Sequence, residues 1–173
     1  LSIAKCFNRI TIIHSHSSIW GKNIVEAGLK KMVQWPLRYI TNYRFACSSI
    51  AGKALFGSRS FELKDNAIIV ENFQFNQLTR TKKRKEFNVN DEILIGHVGN
   101  FTFPKNHMFI IDVFYQLNKK SSKFKLLLVG SGKDEDMVKA KVNSLKLNDF
   151  VIFAGARNDV NELLQAIDIF VFP

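Results

Sequence analysis

The sequence predicts an α/β fold built on parallel sheets, and three observations carry that prediction. Near-continuous apolar runs recur at 93–98, 125–129, 151–153 and 169–172. Strands of a parallel sheet, covered by helices on both faces, read in this way rather than as an alternation of apolar and polar residues. The segments between those runs carry apolar residues at helical spacing: Ile110, Val113, Phe114 and Leu117 in one, Val138, Val142 and Leu145 in the next. An earlier alternation of strand and helix precedes a basic stretch, so the chain divides into two doubly wound parts.

The first part opens with Ile10-Thr11-Ile12-Ile13, a β-branched run within 8–16 that leads into a polar turn at 15–18. Helical spacing follows over 23–39 through Ile24, Leu29, Met32, Val33 and Leu37, interrupted by Gly28. Phe45-Ala46-Cys47 and Ala67-Ile68-Ile69-Val70 are short strand candidates. In the second part, Asp134, Glu135 and Asp136 fall in the first turn of the second helix. Lys139, Lys141 and Lys146 come later, an order that suits the helix macrodipole. Asp159 with Glu162 reads as a capping-box variant that starts a third helix through Leu164.

Composition narrows the function classes. An apolar fraction of 46% in 173 residues is that of a chain with a core, and excludes general disorder. No run of about 18 uncharged apolar residues appears, and Lys5 and Arg9 break the apolar N-terminal stretch, so the expectation is a cytoplasmic protein without a signal peptide. Cys6 and Cys47 lie in apolar stretches without CxxC spacing and are expected as buried thiols. His14 and His16 have no carboxylate or cysteine cluster nearby, which leaves any metal set incomplete.

The net charge of +10 points to nucleic acid, anionic membrane or phosphorylated ligands as partners. Arg80, Lys82, Lys83, Arg84 and Lys85 are clustered, but no aromatic residues are interleaved for base stacking, so the cluster reads as a solvated face or linker.

A phosphate pocket is the sharpest motif. Ile95-Gly96-His97-Val98-Gly99-Asn100-Phe101 is an apolar strand running into a glycine turn, and Pro104-Lys105-Asn106-His107 then opens a helix. Backbone amides and the positive end of a helix dipole converge at such a turn. Two alternatives fail. A P-loop needs glycine at 127 and a hydroxyl residue at 134, where the chain has Leu127 and Asp134, and no G-x-G-x-x-G follows the first strand of this part.

The strings over 95–111, 126–132, 151–160 and 168–173 together resemble glycosyltransferase family four, and weaker similarity extends back through 13–18, 45–48 and 69–72. The resemblance implies a GT-B fold of α/β class: part of an N-terminal Rossmann-like domain, then the first half of a C-terminal one. Residues 1–77 would be the C-terminal part of the acceptor-binding domain, 78–91 a basic interdomain connection, and 92–173 the first half of the nucleotide-sugar-binding domain. It further implies a retaining transferase, moving sugar from a nucleotide sugar to a saccharide or lipid-linked acceptor in bacterial surface polysaccharide synthesis, without metal or other cofactor. The protein would work in the cytoplasm, with peripheral contact at the inner face of the plasma membrane. The family's paired glutamates are expected beyond Pro173, so the chain is read as a fragment inactive on its own.

Residue by residue, Gly99 matches the glycine whose backbone approaches the donor phosphates, and Lys105 the lysine that neutralises the diphosphate. Asn100 stands where the family commonly has arginine. Gly130 and Gly132 match a turn near the nucleoside, and the loop with Ala156 and Arg157 matches the one that lines the base. His16 is similar in position to the acceptor-domain histidine, although His14 shares its strand face. The competing reading from residues alone is a basic α/β module that binds a polyanion through 80–85.

Overall fold

A computed structural model describes Phe7, residues 9–16, Gly28, Met32 and residues 35–173, the side chain of Arg38 excepted. Two compact units divide between Ile68 and Ile69. Most of the helix expected over 23–39 lies outside the described residues, as does Cys6.

The first unit holds three parallel strands in the order β1-β2-β3: β1 (Ile12–Ser15), β2 (Tyr43–Ala46) and β3 (Glu62–Leu63). Helices α1 (Leu37–Ile40) and α2 (Ser49–Phe56) accompany them. Ser48 caps α2 by accepting from the Ala51 amide, and Ser15 Oγ donates to the Ala51 carbonyl at 2.8 Å, which pins the end of β1 to that helix. Cys47 is a free, half-buried thiol. One expectation fails here. Residues 67–70 form no strand: Ile68, Ile69 and Val70 are exposed, and a 3₁₀ turn begins at Val70. The edge of β2 is taken instead by Glu62 and Leu63, which lie opposite Phe45 and Ala46.

The second unit is a four-stranded parallel sheet in the order β6-β5-β4-β7, from β4 (Ile93–Val98), β5 (Phe124–Val129), β6 (Val151–Gly155) and β7 (Ile169–Phe170). Four helices join it: α3 (Gln77–Glu86), α4 (His107–Asn118), α5 (Glu135–Ser144) and α6 (Val160–Ala166). The two-residue period of the strands sorts the core onto two faces. Ile95, Leu126 and Leu128 pack with Ile110, Phe114, Val138 and Val142 on one side, while Leu94, Leu127 and Val129 pack with Leu163 and Ala166 on the other. Both faces are covered, which is why these strands lack polar alternation.

Helix α3 corrects the reading of the basic cluster as a solvated connection. It packs on α6 within the second unit. Lys83 is buried and bonds Asp159, Glu162 at 3.1 Å and Glu86 at 3.3 Å, while Arg80 and Arg84 bind Asp168 at 2.5 and 2.9 Å. Arg84 also donates to the carbonyls of Ala166, Asn90 and Glu92. Three of the five cations thus hold the unit together, and the solvated remainder is Lys82 and Lys85. The same network explains why the capping box at α6 is not made. The Asp159 side chain stands at the N-cap without bonding the helix amides, because Lys83 and Arg157 occupy its carboxylate and Lys83 also draws Glu162 away. Among the described residues, no helix is long and apolar enough to cross a membrane.

Candidate functional site

From β4 the chain moves to one side through β5 and β6, then returns to the other side at β7. The switch point therefore lies between β4 and β7, where doubly wound sheets bind ligands at the carboxyl ends of their strands. Three turns leave the sheet at that end, and backbone hydrogen bonds stitch them into one rim. The Gly99 amide donates to Val129 O at 2.9 Å, Phe101 to Ser131 O at 3.0 Å, Gly130 to Gly155 O at 2.8 Å and Asp134 to Phe101 O at 3.1 Å. Gly99, Asn100, Gly130, Gly132, Ala156 and Arg157, the binding residues expected from the sequence, all lie on this rim.

The close stacking of the turns is possible because two of these residues lack side chains. A Cβ on Gly130, whose φ is +142°, would stand 2.1 Å from the Gly99 carbonyl oxygen, and one on Gly132 would stand 2.4 Å from that of Phe101. In one respect the expected cradle is corrected. The Gly99 N–H does not face a ligand, because the β4–β5 ladder continues one residue past Val98 and consumes it. The open donor is the next amide, that of Asn100, which finds no acceptor among the described residues.

Lys105 reaches this turn from the other side. Pro104 sits in a 3₁₀ turn over Phe103–Lys105, and Asn106 follows in the left-handed conformation, φ 45°, before α4 begins. That reversal lays the Lys105 stem across Gly99, where its Cδ would stand 3.3 Å from a Cβ on the glycine. The ammonium lies 4.9 Å from the centroid of the Phe172 ring beyond β7, and no carboxylate among the described residues pairs with it. A half-buried cation over an aromatic face, whose stem crosses the glycine turn, is arranged to receive an anion.

Arg157 is placed otherwise than expected. Its guanidinium bonds Asp159 at 2.8 and 2.7 Å and Glu86 at 2.7 Å, so its side chain braces α6 against α3 and leaves only backbone to line a ligand. In the first unit, His16 lies just past the carboxyl end of β1, exposed, with its ring 4.0 Å from that of His14. His14 lies within the strand opposite Phe45. The two do share a face, as strand period requires.

From its sequence His97 reads as a core or edge histidine rather than a ligand contact, and the structure buries it beneath the rim beside a partner the sequence reading passed over, His107. His97 and His107 are fully buried with ring centroids 4.8 Å apart, and Phe101 stacks on His107 at 4.1 Å. Burial pushes the His107 ring down to about 4; His97 and Lys105 push the same way, while Asp134 and the Gly99 backbone oppose. Burial likewise lowers His97, against the Val171 carbonyl. Both rings are therefore neutral near pH 7. The only sequence signal was the repeated placement of histidine in otherwise apolar positions, Gly96-His97-Val98 and His107-Met108-Phe109.

A pH dependence follows from these shifts. Between the ordinary histidine value of about 6.5 and about 4, the unfolded chain binds a proton at His107 that the folded chain refuses, so stability falls as pH falls through that window. Below it, Glu92, held down at about 2 by Lys125, and the depressed Asp159 extend the loss. Thermal unfolding midpoints are expected to decline steadily from pH 6.5 to pH 4, and a flat profile over that range contradicts neutral buried imidazoles.

A glycine-stitched rim, with a lysine that pairs with no carboxylate among the described residues, stands at the switch point where doubly wound sheets place their ligand sites. Residues 79–173 match the family described as glycosyl transferases group 1, and the chain belongs to that family. It is 27% identical over 172 residues to EpsF of Bacillus subtilis (strain 168), which carries a glycosyltransferase name, a match covering 95% of this chain and 45% of that protein. It is 32% identical over 92 residues to the N-acetyl-alpha-D-glucosaminyl L-malate synthase of Bacillus anthracis, covering 53% of this chain and 24% of that protein. The chain thus spans about half the length or less of these curated relatives.

Among solved structures, it superposes on Anabaena Alr3699/HepE in complex with UDP and glucose with a TM-score of 0.84 and 18% identity, over 98% of this chain and 47% of that one. A glycosyltransferase from Rickettsia africae ESF-5 gives a TM-score of 0.67 at 16% identity, over 99% of this chain and 53% of that one. These likenesses establish the α/β fold as that of GT-B glycosyltransferases.

Proposed function

We propose that the chain forms part of a retaining glycosyltransferase of family four, whose second unit binds the diphosphate of a nucleotide-sugar donor at the carboxyl end of β4. One observation carries the reading: the stem of Lys105, whose ammonium has no carboxylate partner among the described residues, crosses Gly99, the residue before the open Asn100 amide, at the switch point. A diphosphate seated there gains a charge-assisted hydrogen bond from Lys105 and a neutral one from the Asn100 backbone. Supporting it are the family match and the UDP complex of the structurally similar Anabaena protein.

The donor's sugar would face an acceptor, saccharide or lipid-linked, with His16 orienting the sugar and stabilising developing charge. The leaving diphosphate itself would accept the proton, and no metal is called for. A place in bacterial surface polysaccharide synthesis, in the cytoplasm and against the inner face of the membrane, fits such an acceptor. Residues 1–77 would serve the acceptor and 92–173 the donor.

Isothermal titration of the chain with UDP is expected to show binding that Lys105→Ala weakens about 10- to 100-fold at an unchanged melting temperature, the weight of one hydrogen bond to a charged group. Equal affinity in the variant, or no binding of any nucleoside diphosphate, overturns the reading.

A further inference from the structure

Gly99 and Asn100 form a turn that a bound anion would pull upon, yet the backbone bond holding Gly99 leaves its carbonyl and the Asn100 amide to be fixed from below. The fixing groups are the two buried imidazoles. His97 Nδ1 lies 2.9 Å from the Val171 carbonyl, which can only accept, so Nδ1 carries the proton and Nε2 is a bare lone pair. The Val171 amide in turn donates to Gly96 O at 2.9 Å, so His97 closes a second link between β4 and the chain beyond β7. His107, the first residue of α4, lies close enough to the Gly99 backbone for its carbonyl to favour a protonated ring. Its Nε2, like that of His97, is buried without a partner.

The space above the pair is narrow. A Cβ on Gly99 would lie 2.9 Å from His97 Nε2. Phe101 covers the other face of His107, and the Phe170 and Phe172 rings stand 6.5 and 6.4 Å from His97.

We propose that His97 and His107 are positioning residues for the phosphate turn: as neutral Nδ1–H tautomers they anchor Val171 and Gly99 and thereby aim the Asn100 amide and the Lys105 stem at one point. This rests on the reading of that turn as a diphosphate site. Around the pair, Lys105 from the 3₁₀ turn and Asp134 at the start of α5 are the charged groups that bear on it. Lys105 opposes protonation of both rings, so the lysine that would meet the anion also keeps its supports neutral.

The test compares His97→Leu and His107→Leu with His97→Asn and His107→Asn, because an asparagine amide can donate from near the Nδ1 position. Imidazole nitrogen NMR of the free chain is expected to show protonated Nδ1 and bare Nε2 on both rings. In the leucine variants, hydrogen exchange of the Gly99 and Phe101 amides should accelerate roughly tenfold while that of Leu127 in β5 holds, the weight of one buried hydrogen bond. In the asparagine variants it should stay near wild type. UDP affinity should follow the same order, lost about tenfold in the leucine variants and retained in the asparagine ones.

An Nε2–H tautomer on either ring, or leucine variants indistinguishable from asparagine variants in exchange at Gly99, overturns the proposal. A wild-type chain that shows the tautomers and the exchange pattern but binds no UDP overturns the diphosphate reading and leaves the anchoring of the turn supported.

Discussion

Lys83→Met is expected to destabilise the second unit by about 3 kcal/mol, as breaking a buried ion pair from one side does. The side chain is 6% exposed and meets three carboxylates: Asp159, Glu86 and Glu162. Asp159 keeps Arg157 as a partner, but Glu162 loses the only ion pair it makes among the described residues. The effect sits at the lower end of the usual range because Glu86 and Glu162 remain 34% and 43% exposed and can rehydrate. Urea unfolding followed by circular dichroism measures it. A change under 1 kcal/mol would mean that α3 is held to α6 by packing alone and that the cluster is the solvated face its composition suggested.

Gly130→Ala is expected to cost about 3 kcal/mol and to reduce UDP affinity by more than tenfold, because it acts on the rim itself. At φ +142° a side chain is strained, by roughly 1–3 kcal/mol for such sparsely populated backbone. The added methyl would also meet the Gly99 oxygen at 2.1 Å, so one of the two turns must move. Gly155→Ala is the control. Its φ is +68°, but nothing lies within 4 Å of the added Cβ, so it should cost about 1 kcal/mol and leave UDP binding unchanged. Equal behaviour of the two variants would show that backbone strain alone, and not the closeness of the turns, shapes the rim.

Much of the second unit was legible in its sequence because local and tertiary demands agree there. The run 93–98 is strand β4 residue for residue, and Ile110, Phe114, Val138 and Val142 are buried as their spacing required, whereas Val113, read onto the same face, is exposed. The first unit was less legible. Its third strand is Glu62–Leu63, too short and polar to show, whereas the apolar 67–70 run is exposed and unpaired in the sheet.

In the site, the glycine turn after β4 and the lysine behind it were legible as a motif, while the turns at 130–132 and 156–157 came from the resemblance to family four. What spacing could not convey was the direction of each hydrogen bond: that Gly99 N–H joins the β5 ladder, and that Arg157 turns toward Glu86. Nor could it weigh the cluster at 80–85, since a lysine that solvates and one that binds three carboxylates differ only in partners about 76 residues away. The polyanion reading loses its ground there, because Arg80, Lys83 and Arg84 are already neutralised.

Amide chemical shifts recorded while UDP is added to the chain test the central claim most directly. Binding at the rim predicts shifts concentrated at Asn100, Lys105 and the turn from Gly130 to Gly132, displaced to about 10- to 100-fold higher UDP by Lys105→Ala, with residues 80–85 undisturbed. Shifts centred on 80–85, or none at Asn100 and Lys105 under saturating UDP, would contradict it.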